Sequence, residues 1–538
     1  MRLLIIRVLS IGALLVAVVW FIDGGGYEAV ITALVGLAGL FSGEFLKEGP
    51  KEDPLSPSPE WDLTHEADAP SDPSIVVLPF DNLSDEAGDA YLADGVTEEI
   101  TADLAGLHSL RVISRTSAMQ YRGSRASLPA IAQELAVRYV LEGSVRKAGK
   151  NLRITCQLID AKNDAHLWAE KFSGTMADIL DLQETVARSV AQKLSLQLDP
   201  REEEMLAERP IPDLRAYESY LRAREGLQTF GAEGIQRALH HLTEALSIAG
   251  ENAVLLGQLA QVHYQFWNMG IRLDEKDLMK AREYADRALE LNPKTPDHHL
   301  IRGLLEVTGG SAVKALSYFD AALALDPEYP DALGWYPAIA AFMGLEDAAK
   351  ERLERLRLVD PLNTFNSFIP IFIHIYKGRF SAALDLAEKT RAARPPEMLV
   401  ETGYAHALAL IGRSQEAVDV IRQTHHPDGG FFAREMLALA CALKGDRQGA
   451  LGFIDGDLER WAEKDFAYSL ELGRIFARLG DRKRAIDWLE KGVERGNINH
   501  PFLSEYDPSL AALSGHPRYD SLMERVRDEW EAYSSGLA

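Results

Sequence analysis

Six glycines recur through the second half of this chain at a nearly fixed interval. They are Gly310, Gly344, Gly378, Gly412, Gly445 and Gly480, spaced by 34, 34, 34, 33 and 35 residues. Five residues after each stands an alanine: Ala315, Ala349, Ala383, Ala417, Ala450 and Ala485. A ladder of prolines, Pro293, Pro327, Pro361 and Pro395, keeps the interval of 34. A period of this length builds stacked helix–turn–helix units, not one globular core. Each glycine ends a first helix, where a left-handed turn is needed. Each alanine lets the second helix approach its partner closely.

The interval of 34 residues is that of the tetratricopeptide repeat (TPR). Region 213–500 reads as an all-α solenoid of about eight units, the first of them degenerate and the next lengthened around 268–276. The tail, 501–538, holds a charged amphipathic helix suited to cap the open end of the stack. Function in such a stack sits on the first helices, which line the concave face. In the unit starting near Thr364 the register places Phe365, Phe368, Phe372 and Tyr376 there, and neighbouring units add Phe342 and Leu399. Only Arg474 and Arg478, at one end, offer the basic groups that TPR proteins use to clamp a terminal carboxylate. The pattern predicts a protein or peptide partner, apolar or helical, held by aromatic anchors. The opposing reading is that these aromatics pack between units.

The amino terminus reads differently. Residues 3–22 and 29–41 are apolar runs separated by a short Gly-rich loop. The first run is long for a signal peptide and has no small-x-small cleavage site before Asp23. A two-helix membrane hairpin over 1–41 is expected, the second span being short. Arg2 and Arg7 precede or open the first run, and Lys47 and Lys51 follow the second. By the positive-inside rule this predicts an integral protein of a bacterial inner membrane with its soluble part in the cytoplasm. The rival is a single crossing at 3–22 with a periplasmic soluble part. Residues 42–73, with prolines at 50, 54, 57, 59, 70 and 73, are expected to be a disordered acidic tether.

Charge narrows the function classes. Lys and Arg total 57 against 81 Asp and Glu, a net charge of −24. Such a chain lacks the basic footprint of a nucleic-acid binder. Two cysteines, Cys156 and Cys441, cannot form a disulfide framework and read as small buried side chains.

Between tether and solenoid, 74–200 alternates strands with helices and then becomes a meander. The apolar run 74–80 is a buried strand. Residues 95–107 have helical periodicity, and 110–114 is a second strand. The turn Lys147-Ala-Gly-Lys-Asn151 joins two strands as a hairpin. The expected result is a small α/β domain with a mixed sheet. Its motifs VLPFDN, ADGVTEEI, RYVLEGSV, QLIDA and HLWAEKF resemble the TolB amino-terminal-like (FlgO-like) domain of bacterial envelope and signalling proteins. In that family TPRs commonly follow, beside a class III cyclase or a winged-helix domain. This sequence shows neither, so the resemblance implies an accessory module without its output module.

Asp81, Asp85 and Asp94 cluster after the first strand, at the sheet edge where α/β domains bind ligands. The competing reading makes them turn residues, with Asp94 a helix N-cap. The stretch Gly143 to Lys150 has one residue too many for a phosphate loop and lies between strands. His240–His241, His298–His299 and His425–His426 are adjacent pairs, which on a helix diverge by roughly 100° and do not chelate through one face. No metal and no cofactor is expected. The sequence thus predicts a multidomain chain: membrane helices, a small α/β domain with a mixed sheet, and an all-α TPR solenoid. The predicted function is a membrane-tethered, non-catalytic interaction scaffold, with self-association possible. The alternative is a signalling accessory protein whose α/β domain binds a small ligand or nucleotide.

Overall fold

The computed structural model describes residues 73–84, 86, 89–228, 231–393, 396–424 and 430–536. Among these residues no helix is long and apolar enough to cross a membrane. The fold class is corrected accordingly: a small α/β domain with a mixed sheet, followed by a helical array. The runs 3–22 and 29–41 that prompted the expectation of membrane helices, and the tether, lie outside the described residues.

Strand β1 (Ser74–Val77) is buried along its whole length because both faces are covered. Ile75 and Val77 pack with the helix α1 (Ala90–Ala105) through Val96, Ile100 and Leu104. Val76 faces the other way, toward Ile131 and Leu135 around helix α3 (Leu128–Glu134). Alternating faces are the period-2 geometry of a strand. The short β2 (Asp81–Asn82) continues the line of β1 along β4 (Tyr139–Ala148). The sheet order is β3-β1-β4-β5-β6, with β3 at Arg111–Val112, β5 at Asn151–Asp160 and β6 at Ala165–Thr175. Strands β3, β1 and β4 are parallel, and β4, β5 and β6 form an antiparallel meander. Crossovers through α1, and through α2 (Arg115–Met119) with α3, supply the parallel half. The tight turn at Gly149, φ 60°, supplies the hairpin. Helix α4 (Ile179–Lys193) covers the sheet beside α1, and α5 (Pro200–Leu206) leads out, capped by Asp199 and Glu202 in a reciprocal box.

Among the described residues, eight antiparallel helix pairs follow. They are α6 (Leu214–Gln228) with α7 (Ala232–Ala249), α8 (Ala253–Asn268) with α9 (Glu275–Leu291), and α10 (Pro296–Val307) with α11 (Ala312–Leu325). Next come α12 (Pro330–Phe342) with α13 (Glu346–Val359), and α14 (Phe365–Tyr376) with α15 (Phe380–Ala393). Then come α16 (Met398–Leu410) with α17 (Ser414–Thr424), and α18 (Gly430–Lys444) with α19 (Arg447–Gly452). A short α20 (Gly456–Ala462) precedes the last pair, α21 (Phe466–Arg478) with α22 (Arg482–Glu494). The glycine ladder does what its spacing implies. Gly344, Gly378, Gly412, Gly445 and Gly480 hold φ between 72° and 90°. In the remaining unit the left-handed residue is Gly309, φ 83°, one place before the residue that keeps the period. The six alanines are at most 1% exposed, so each sits where two helices touch.

Two features depart from a simple open stack. First, the α/β domain is fused to the array. Tyr217, Leu221 and Ile235 of α6 and α7 belong to the same core as α1 and the sheet. Glu98 of α1 pairs with Arg224 of α6. On the opposite sheet face, Ser117 Oγ donates to Asp360 at 2.5 Å and accepts from the Leu362 amide at 2.9 Å. The Ser114 amide donates to the Val359 carbonyl at 2.7 Å. The domain therefore grips the turn between α13 and α14.

Second, the array closes on itself. Repeats in a solenoid normally touch only their neighbours. Here Thr308, after α10, forms a β-bridge with Asp465, before α21. The Gly309 amide donates to the Lys464 carbonyl at 2.6 Å, and the Ala312 amide to the Arg495 carbonyl at 2.9 Å. Trp267 of α8 packs with Leu458 and Trp461 of α20. Beyond α22 the segment 497–513 runs back over the ends of earlier first helices. Asn499 donates to the carbonyls of Phe342 and Tyr376 at 3.2 and 3.4 Å. The final helix, α23 (Pro517–Gly536), is held by Arg518 to Asp487 and Glu490 of α22. Its Trp530 and Tyr533 pack onto the solenoid core, and Tyr533 sits in the field of Asp320 and Arg352. It packs on the last helix of the array and reaches towards Asp320 and Arg352 of earlier units.

Candidate functional site

Closure turns the concave face into a cavity of about 490 Å³. Seven first helices contribute to its wall: α8, α10, α12, α14, α16, α18 and α21. The wall is largely aromatic. Phe368 and Phe372 ring centroids lie 4.3 Å apart, Phe342 and Tyr376 4.8 Å, and Phe342 meets Phe466 edge-on at 5.8 Å. Such tilted and edge-on pairs are the favoured aromatic geometries.

The structure brings Phe342, Phe365, Phe368, Phe372, Tyr376 and Leu399 to this one cavity. It divides them by exposure. Phe368, Phe372 and Tyr376 are 6%, 3% and 1% exposed, so they support the helices while lining the wall. Phe342, Phe365 and Leu399 are half-buried, and Met398 beside them is exposed. The rim is thus Trp335, Phe365, Met398 and Leu399.

The two arginines proposed for a carboxylate clamp are placed elsewhere, and that expectation is corrected. Arg474 is fully buried. Its Nε donates to Asp507 at 2.5 Å, and its Nη1 to Glu471 at 2.5 Å and toward His406 Nε2 at 2.9 Å. The guanidinium is consumed by the returning segment, because taking it out of water requires carboxylate partners. Arg478 is exposed and stands apart from the cavity wall.

At the inner end the cavity is acidic. Glu435, Glu471 and Asp465 all contribute to its wall. Burial, with Glu471 and Asp465 nearby, pushes the Glu435 carboxyl well above its usual range. Burial raises Glu471 too, against the opposing pull of Arg474. Burial lifts Asp465 to about 6, although its carboxylate caps α21 through the Ala467 and Tyr468 amides. Burial and the Arg474 charge hold His406 well below the usual imidazole range, so it is neutral at pH 7.

The acidic residues of the α/β domain do not assemble a comparable site. Asp81 is exposed on β2. Asp94 is not an N-cap: α1 begins at Ala90, four residues earlier, and the Asp94 carboxylate pairs with Arg122. Asp85 lies outside the described residues. Asp89, buried at the start of α1, is taken by Lys147 at 2.9 Å. Adjacent histidines also come closer than simple helix geometry suggests. The rings of His240 and His241 are 5.3 Å apart and, with Glu244, place ligand atoms within 4.8 Å of one another on a largely exposed surface. The free thiols Cys156 and Cys441 are both buried.

Glu435, Asp465, Trp267 and Trp461 were not singled out from sequence. One signal existed for Glu435: it is the lone acid in a mostly apolar helix, FFAREMLALACAL, beside Arg434. The others reach the cavity only through closure.

Comparison with known proteins places these parts. Residues 272–330 match a tetratricopeptide repeat model. Residues 71–189 match the second domain of HilA/YgeH-like transcriptional regulators. A curated relative named putative adenylate cyclase 3, from Rhizobium meliloti (strain 1021), is 36% identical over 231 residues, or 43% of this chain. The chain spans 39% of that relative's length. Among solved structures, a tetratricopeptide repeat protein from Parabacteroides merdae is 13% identical, covering 52% of this chain and all of that one, with a TM-score of 0.35. PilF from Pseudomonas aeruginosa is 15% identical over 42% of this chain and 98% of its own, with a TM-score of 0.27. TolB from Acinetobacter baumannii is 16% identical over 24% of this chain and 29% of its own, with a TM-score of 0.18. The family model, the 34-residue period and the eight helix pairs together make the second half a TPR array.

Proposed function

We propose that this chain is a non-catalytic interaction scaffold that holds an apolar segment of a protein partner across the rim of the TPR cavity. The observation that carries the reading is the rim itself. Trp335, Phe365, Met398 and Leu399 are large apolar side chains left partly open to solvent beside an aromatic-lined hollow. Apolar anchors of this kind dominate the energetics of protein interfaces. The fused α/β domain fixes the turn between α13 and α14, and so sets the position of Phe365 at the start of α14.

The test is a photo-crosslinking amino acid placed at Leu399, with the exposed Leu291 of the outer helix α9 as control. A protein adduct formed at Leu399 and absent at Leu291 identifies the partner segment. Phe365→Ala should then weaken a peptide of that segment by about 1–4 kcal/mol. Equal labelling at both positions, or unchanged peptide affinity with a lower melting temperature, would make the rim purely structural.

A further inference from the structure

The inner end of the cavity holds a group that an apolar partner segment leaves unused. Glu435 is 1% exposed, lines the cavity, and its Oε1 receives no hydrogen bond. A buried acceptor left open is costly, so native structures usually satisfy it. Two nearby cations have other carboxylate partners, with only the Nη2 of Arg474 left unpaired. Arg474 is bound by Asp507 and Glu471, and Arg434 pairs with Asp455 at 2.7 Å. The inner wall therefore presents Glu435, Glu471 and Asp465 against one guanidinium that Asp507 also shares.

The rest of the inner wall is aromatic, and one of its rings, Phe431, already carries the Arg434 guanidinium 5.7 Å from its centroid. Phe431 stands one turn before Glu435 on α18, on the same helix face. Its ring lies 5.1 Å from Trp461, which lies 3.8 Å from Tyr468. Aromatic faces attract ammonium groups, most strongly where water is excluded. Size points the same way. A volume of about 490 Å³ lies within the range of small-molecule pockets. A helix of about 10 Å diameter would place only about one turn in it.

We propose that the cavity binds a small organic cation, an ammonium group on an aromatic or alkyl body. The charge sits against Glu435 and the body against Trp461, Tyr468 and Phe466. This site goes beyond the scaffold reading and does not depend on it, since the rim and the inner end use different residues. The charged and titratable groups facing Glu435 are Glu471, Arg474, Asp465, Tyr376 and Tyr468. With its carboxyl raised well above the usual range by burial, Glu435 gives up a proton as the cation enters, so affinity rises with pH.

The experiment is thermal shift and calorimetry on the full chain with three cations: tryptamine, octylammonium and benzyltrimethylammonium. Each is paired with a neutral counterpart, respectively tryptophol, octanol and benzyl alcohol. At least one cation should bind ten-fold or more tightly than its counterpart. Glu435→Gln, which retains shape and removes the charge, should erase that preference while the variant stays folded. Calorimetry in two buffers of different ionisation heat should show proton release with the wild type only. Equal binding of cation and counterpart in all three pairs, no binding of any cation at 10 mM on the order of the weakest useful affinity, or an unchanged preference in Glu435→Gln would each overturn the proposal.

Discussion

Replacing Arg474 by methionine separates the structural role found here from the clamp suggested by sequence. Methionine fills most of the volume but leaves Asp507 and Glu471 without their cation. Their side chains are 0% and 7% exposed, so water cannot take over. Removing one member of a buried ion pair costs about 3–5 kcal/mol, because the remaining charge is stranded. Two carboxylates are stranded here, so the upper part of that range is expected. Urea unfolding followed by circular dichroism reads the loss. Arg474→Met combined with Asp507→Asn should recover at least about 1 kcal/mol, since contacting residues couple on this scale. A stability change within about 0.5 kcal/mol of zero, the size of a typical surface substitution, would refute the reasoning and return Arg474 to the cavity as a free ligand group.

Three further outcomes follow from the same contacts. A Cβ at Gly378 would lie 2.8 Å from Tyr506, whereas at Gly412 it would meet nothing within 4 Å, and both hold positive φ. Gly412→Ala should therefore cost about 1–2 kcal/mol from backbone strain alone. Gly378→Ala should cost about 1–3 kcal/mol more from the clash; equal melting temperatures would mean the returning segment is not seated there. His406 has a folded pKa far below its unfolded value near 6.5, so its contribution to stability is complete above that pH and is lost as pH falls below it. His406→Gln should flatten the acid limb of the stability–pH profile below pH 6.5. Finally, Ser117→Ala leaves Asp360 and the Leu362 amide without their shared partner, and hydrogen exchange of residues 358–363 should accelerate with a loss of about 1–3 kcal/mol.

The helix pairs were legible because their signals are local and repeat. A glycine at a left-handed turn and an alanine at a helix crossing announce themselves wherever they occur. The α/β domain was legible for a similar reason: Ile75 and Val77 alternate with Val76 in a run that only a doubly covered strand accommodates. Closure was not legible, because Thr308 and Asp465 carry no mutual mark, being joined by backbone groups that any residue has. The misplacement of Arg474 has the same origin. Its position on a first helix is correct for an open groove, and only the return of Asp507 buries it. Asp94 failed for a local reason: α1 starts five residues earlier than the apolar periodicity indicates, so the expected cap is interior.

The meeting of Thr308 with Asp465 has a consequence for how this array can change over generations. An open row of repeats tolerates a unit more or a unit less, since only its length alters. In a closed one, duplicating 34 residues between those two positions would enlarge the circumference and pull the bridge apart, and deleting them would leave the ends overlapping. The number of units between Thr308 and Asp465 is therefore fixed by geometry, and the chain can vary freely only outside that arc.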